Sequence, residues 1–199
     1  MAENYQQNIS AWRKKTGAKI LTETEFMQVK AAQNFHVTGV IGFAGAWDRT
    51  PANAPLLIDA RRTLRAMLLA GQQQYGSQLI MCSGATDSGV LHLAYELCEQ
   101  LGITAMGVTP DIALDFDVAK MEYLVPVGHN FGDESETFLR ICDEFMLLGG
   151  GNQSRREIIT AANMGKPITV IQGFGGAADD FSPERLPRAR FVSGWFSTD

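Results

Sequence analysis

Phe145-Met-Leu-Leu-Gly-Gly-Gly-Asn-Gln-Ser-Arg-Arg-Glu157 joins a short apolar run to a polar, helix-forming segment through three consecutive glycines. The stretch reads as strand, glycine turn and helix start. Such a junction gathers unpaired backbone N–H groups and the positive end of a helix dipole at one point, an environment that favours phosphate or another anion. Gly149, Gly150 and Gly151 either let a ligand approach the backbone or supply the positive φ of a tight turn. With Asn152, Gln153 and Ser154 they form the candidate phosphate-binding segment. Ser154-Arg-Arg-Glu157 also has the form of a capping box, so Ser154 and Glu157 have a helix-capping reading beside the ligand reading. Glu157, facing a pocket, would hold ribose hydroxyls or act as the acid or base in attack at an anomeric carbon, with Arg156 or Arg155 offsetting phosphate charge.

Outward from this stretch the same unit recurs. Val37-Thr-Gly-Val-Ile-Gly-Phe-Ala-Gly45 is a buried strand running into a glycine-broken turn, followed by a loop and a helical pattern from Leu56 to Leu69 that Gly71 should end. Gln78 to Cys82 is a second strand, Ser83 to Gly89 a second small-residue loop, and Val90 to Gln100 a second helix before Gly102. Strands are further predicted at Thr104 to Val108, Glu122 to Val127, Glu144 to Leu148 and Ile168 to Ile171. Helices are predicted at Glu134 to Ile141 and from about Arg155 to Met164. Pro126 argues for a position near the sheet edge. Gly173 to Asp179 reads as a flexible turn.

Strands alternating with helices imply parallel pairing, hence a doubly wound, mainly parallel α/β sheet between two helical layers. Ligands of such sheets bind beyond the carboxyl ends of the strands, where all three small-residue turns would lie. Ala44, Gly45 and Trp47 from the first turn, and Ser83, Gly84, Thr86 and Asp87 from the second, are therefore the candidates for base and ribose binding. Asp87 would repel phosphate and is assigned to ribose or base, or to capping the Val90 helix.

The flanks carry no such unit. Residues 1–36 form an N-terminal extension in which the capping box Thr22-Glu-Thr-Glu25 predicts a helix over Glu23 to Gln33. Residues 37–180 make the ligand-binding domain, and 181–199 an aromatic tail without period that should pack on the domain or a partner subunit. With 199 residues, 45% of them apolar, and a net charge of −5, the chain can bury a full core and offers no basic face for nucleic acid. No apolar run reaches the roughly 18 residues that span a bilayer and the first ten residues are polar, so a cytoplasmic location without membrane association is expected. Cys82, Cys98 and Cys142 sit singly in apolar patterns and read as reduced core residues; His36, His92 and His129 share no ligand spacing, and no metal site is expected.

The residues so assembled resemble the Rossmann-like superfamily that includes the LOG (Lonely Guy) phosphoribohydrolases, the proteins once labelled lysine decarboxylases, and the molybdenum-cofactor carrier proteins. The resemblance covers Val37 to Gly173. Where LOG proteins have Pro-Gly-Gly-x-Gly-Thr-x-x-Glu after a strand, this chain has Gly149 to Glu157, keeping Gly150, Gly151, a hydroxyl at Ser154 and Glu157. Gly149 replaces the proline and Gln153 a glycine, and Glu134 stands where the LOG pattern has its arginine. Ser83 to Leu91 looks like the family's earlier glycine loop, one residue longer. The resemblance implies a three-layer Rossmann-like fold, a homo-oligomer, commonly a dimer, and a nucleotide or nucleotide-linked cofactor such as AMP as ligand. It also implies, as an alternative, cleavage of the N-glycosidic bond of a nucleoside 5′-monophosphate with Glu157 as the catalytic group, and as a weaker one, a non-enzymatic cofactor carrier or nucleotide sensor.

Overall fold

The structure, a computed structural model, describes residues 2–43 and 54–194, with side chains over 7–43 and 56–194. Helices α1 (Ala2–Thr16), α2 (Glu23–Gln33), α3 (Ala54–Tyr75), α4 (Gly89–Leu101), α5 (Ser135–Ile141), α6 (Asn152–Asn163) and α7 (Gly176–Asp179) pack on one sheet. Its strands are β1 (Lys19–Ile20), β2 (His36–Gly42), β3 (Leu79–Ser83), β4 (Thr104–Thr109), β5 (Tyr123–Pro126), β6 (Glu144–Leu148), β7 (Ile168–Gln172) and β8 (Arg190–Ser193). The order is β1-β5-β4-β3-β2-β6-β7-β8, and every pairing is parallel. The chain is thus the doubly wound three-layer α/β sandwich that the alternation of elements predicts.

Alternation along the strands sends neighbouring residues to opposite layers. Val40, Leu79, Met81, Met146 and Leu148 join a core with Trp12, Leu64, Leu68 and Leu97 of α1, α3 and α4. Ile41, Ile80, Cys82, Phe145 and Leu147 join a second core with Phe26, Phe138 and Ile158 of α2, α5 and α6. With both faces covered, the central strands need no polar side, which is why they read as continuous apolar runs. The three cysteines are free and buried, and burial pushes the Cys98 thiol up to about 12.

The capping box forms as expected: the Thr22 hydroxyl accepts from the Glu25 N–H at 3.2 Å and the Glu25 carboxylate accepts from the Thr22 N–H at 2.7 Å. Other boundaries differ. Gly71 does not stop α3, which continues to Tyr75 because the Gly71 backbone lies against Leu79 and Gln72 donates to the Leu101 carbonyl at 3.0 Å. Gly173 to Gly175 is a turn tied to the end of α7, since Asp179 accepts from the Gly173 and Gly175 N–H groups at 2.7 and 2.8 Å, and Gly176 to Asp179 is helical. Both flanks enter the sheet: β1 pairs with β5, and β8, four residues of the tail, pairs with β7. No described helix is long and apolar enough to cross a membrane.

At the centre of the sheet Gly39 makes room for Phe145, since a Cβ there would lie 2.6 Å from the Phe145 ring and 3.1 Å from the Cys142 sulfur. Phe145 is held edge-on by Phe138, with centroids 5.5 Å apart. Gly39→Ala should cost about 1–2 kcal/mol, overpacking outweighing the lowered entropy of the unfolded chain. Thermal unfolding should show a drop of about 2–4 °C for each kcal/mol; an unchanged midpoint would mean that the ring moves aside freely.

Candidate functional site

The sheet order reverses between β2 and β6: the chain after β2 builds outward through β3, β4 and β5, and after β6 through β7 and β8. Connections on the two sides therefore diverge and leave a crevice at the carboxyl ends of these strands. A cleft of about 380 Å3 occupies it, with walls from Gly42 and Phe43 after β2, Ser83 to Thr86 after β3, Thr109 and Pro110 after β4, and Gly151 to Ser154 with Glu157 after β6. Phe131 and Glu134, from the connection between β5 and α5, complete it.

The glycine turn is shaped by conformation. Gly149 and Gly150 have φ of +69° and +89°, a region that costs residues with a Cβ, and a Cβ on Gly150 would also lie 2.7 Å from that of Ser154. Their carbonyls accept from the Ala178 and Ala177 N–H groups, both at 2.9 Å, so α7 anchors the turn from outside the cleft. Of the three glycines, Gly151 reaches the cleft wall. Helix α6 begins at Asn152, three residues ahead of the expected start, with Gly151 as N-cap; Ser154 is the third helical residue and accepts from the Gly151 N–H at 3.3 Å. Ser154 is therefore not the N-cap and Glu157 is not its capping partner. The N–H groups of Asn152, Gln153 and Ser154, in the first turn of α6, have no acceptor within the helix.

Glu157 is drawn instead into a buried acidic cluster. Its Oε1 accepts from the Ser135 hydroxyl at 2.6 Å and from Gln153 Nε2 at 3.0 Å, and the same Gln153 nitrogen donates to Glu134 Oε1 at 3.0 Å. Glu134 Oε2 accepts from the Gly132 N–H at 2.7 Å. Glu134 is 7% exposed and Glu157 8%, so a single amide separates two desolvated carboxylates. Burial raises the Glu157 pKa against the lowering by its bonds to Ser135 and Gln153; the charge of Glu134 raises it further, and Arg156 lowers it. Glu157 Oε2 has no partner among the described residues and belongs to a side chain lining the cleft. It is positioned to accept a hydrogen bond from a bound hydroxyl, or to carry a proton.

No lysine or arginine lines this cleft among the described residues. Arg156 is on the exposed face of α6, and Arg155 pairs with Asp180. Arg140, the basic residue nearest Glu134 in sequence, is engaged by Glu23 and Glu136. Among the described residues, negative charge from a ligand would meet backbone N–H groups and the α6 dipole and no basic side chain.

In the β3 loop the Ser83 hydroxyl donates to the Val40 carbonyl at 2.7 Å, and the Tyr95 hydroxyl lies 3.0 Å from the Gly84 and Met106 carbonyls. These bonds fix the loop, and Ser83 to Thr86 form the wall. Asp87 turns to His92, 2.7 Å from Nδ1, and is not among the lining residues. Ala44, Gly45 and Trp47 lie outside the described residues. Ser135, Phe131 and Thr109 carry no motif. What signalled them was position alone, since every loop after a parallel strand emerges on the same edge.

No protein-family model matches the chain, and no curated protein matches it. Solved structures do. A structural-genomics protein, TM1055, superposes with a TM-score of 0.61 at 22% identity over 81% of this chain and 93% of its own. The molybdenum cofactor binding protein of the phototrophic bacterium Rippkaea orientalis gives 0.61 at 15% identity over 80% and 90%. The molybdenum cofactor carrier protein of Chlamydomonas reinhardtii gives 0.57 at 18% over 80% and 91%. Likeness at these identities establishes the fold, and the chain has the Rossmann-like fold that the resemblance to the LOG-like superfamily implied.

Proposed function

We propose that the cleft between β2 and β6 binds a nucleotide-type small molecule, a nucleotide or a nucleotide-linked cofactor. The observation that carries this reading is the convergence, in one cleft at the sheet reversal, of the α6 N-terminus with Glu157 Oε2, which has no partner among the described residues. The first supplies N–H donors to a phosphate; the second accepts from a sugar hydroxyl. The cleft volume lies in the range of small-molecule sites. Two of the structurally similar proteins carry or bind the molybdenum cofactor, which supports including small cofactors among the ligands. Without a lysine or arginine in the described wall, phosphate is held by backbone dipoles, so affinity should depend weakly on salt. Calorimetric titration with AMP, other nucleoside monophosphates and dinucleotide cofactors should give saturable binding to at least one. No heat and no thermal shift with any of them would refute the reading.

A second reading, hydrolysis of the N-glycosidic bond of a nucleoside 5′-monophosphate, is favoured by the buried, half-satisfied Glu157. A carboxyl whose pKa is raised and whose second oxygen has no partner among the described residues suits proton transfer to a departing base or from an attacking water. Incubation with AMP should then release ribose 5-phosphate, and Glu157→Gln should abolish the release while leaving the fold intact.

The raised pKa of Glu157 also has a stability signature. Folding favours the protonated acid, so its contribution is complete below the ordinary carboxylate pKa and is lost as pH rises through the folded value. Glutamine keeps the shape and does not titrate. The melting temperature of Glu157→Gln relative to the wild type should therefore rise between about pH 4 and pH 8. A difference that is flat across this range would show that the carboxyl is not perturbed.

A further inference from the structure

Phe116 and Phe131 are 49% and 48% exposed, with ring centroids 5.7 Å apart and planes inclined by 59°. Phe131 also lines the cleft. A phenylalanine ring gains by leaving water, and neither of these does so in the main cores, although both are held in place. Asp133 accepts from the His129 and Asn130 N–H groups at 2.9 Å each, Glu134 from Gly132 at 2.7 Å, and the Ile112 N–H reaches the His129 carbonyl at 3.0 Å. The Phe116 N–H donates to the Ala113 carbonyl at 3.1 Å, and Lys15 Nζ donates to the Phe116 carbonyl at 3.0 Å. These bonds fix both loops and present one ring of the pair to the cleft. The Asn130 and His129 N–H groups keep the Asp133 carboxyl below the usual range.

We infer that Phe131, braced by Phe116, is the stacking platform for a planar heteroaromatic ring of the ligand. The inference rests on the nucleotide-type reading and deepens it: the ring of the ligand lies against Phe131 at the cleft mouth, and its sugar reaches Glu157 Oε2 within. The segment running into α5 thus contributes at both levels, Phe131 for the ring and Ser135, the first residue of α5, for the orientation of Glu157. Stacking is tolerant of base identity because every base offers a π face, so Phe131 selects for the presence of a ring, and the polar wall selects among rings.

Calorimetry with AMP and GMP on the wild type, Phe131→Ala and Phe131→Tyr, with transferred nuclear Overhauser effects on the wild-type complex, tests this. Phe131→Ala should weaken binding about tenfold to a hundredfold and Phe131→Tyr should stay within about threefold of the wild type. Base protons should show contacts to the Phe131 ring. Because the ring is half exposed, Phe131→Ala should melt within about 2 °C of the wild type, which separates loss of stacking from loss of fold. Wild-type binding with Phe131→Ala within about twofold, or a complex without base-to-Phe131 contacts, overturns the platform and leaves the nucleotide reading standing. A wild type that binds no nucleotide overturns both.

Discussion

The pairing of β2 with β6, from Thr38 opposite Glu144 to Gly42 opposite Leu148, is the constraint on which the cleft depends, because the chain leaves these two strands in opposite directions. Close packing at this junction needs small residues in β2. A Cβ at Gly39 would strike Phe145, and one at Gly42 would come within 2.8 Å of the Leu148 carbonyl and 2.6 Å of Val90. The Val90 N–H in turn donates to the Phe43 carbonyl at 2.9 Å, tying α4 to the end of β2. Glycine in β2 thus lets strand, neighbouring strand and helix approach together, and the crevice opens where that contact ends.

The crevice wall is electrostatically one-sided. Two buried carboxylates face it and no described basic side chain does, so their mutual repulsion is relieved by a shared amide, a serine hydroxyl and a backbone N–H. Gln153 is central, because its one nitrogen serves both acids; where the LOG pattern has a glycine, this chain has the side chain that makes Glu134 and Glu157 compatible. Gln153 and Glu134 therefore act as one hydrogen-bonded unit with Glu157. An arginine at 134 would place a cation in this wall; a glutamate linked through glutamine makes the described wall rich in acceptors.

The sequence made the scaffold legible where burial on two faces imposed long apolar runs: β2, β3, β4, β6 and β7 could be read from composition, and α2 from its capping box. The flanks resisted because their structure comes from partners distant in sequence. Helix α1 is anchored by Trp12 in the core and by Asn8 donating to Asp111 at 2.9 Å, neither of which shows as a period. β8 is four residues whose pairing partner is β7. In the site, the glycine turn and Glu157 were readable as a motif, but the role of Glu157 was not. Capping and pocket-facing readings fit the same spacing, and they separate only once Ser135, 22 residues away, is seen to hold the carboxylate. Phe131 had no sequence signal beyond lying in a loop after a parallel strand.

The central claim is that this cleft, and no other surface, takes the ligand. It is tested most directly by following backbone amide resonances during titration with AMP. Shifts should concentrate at residues 42–43, 84–86, 131–135 and 151–157, with the Asn152 to Ser154 amides moving as a group. Shifts confined to another depression, such as that lined by Lys166, Arg185 and Arg188, would contradict the account.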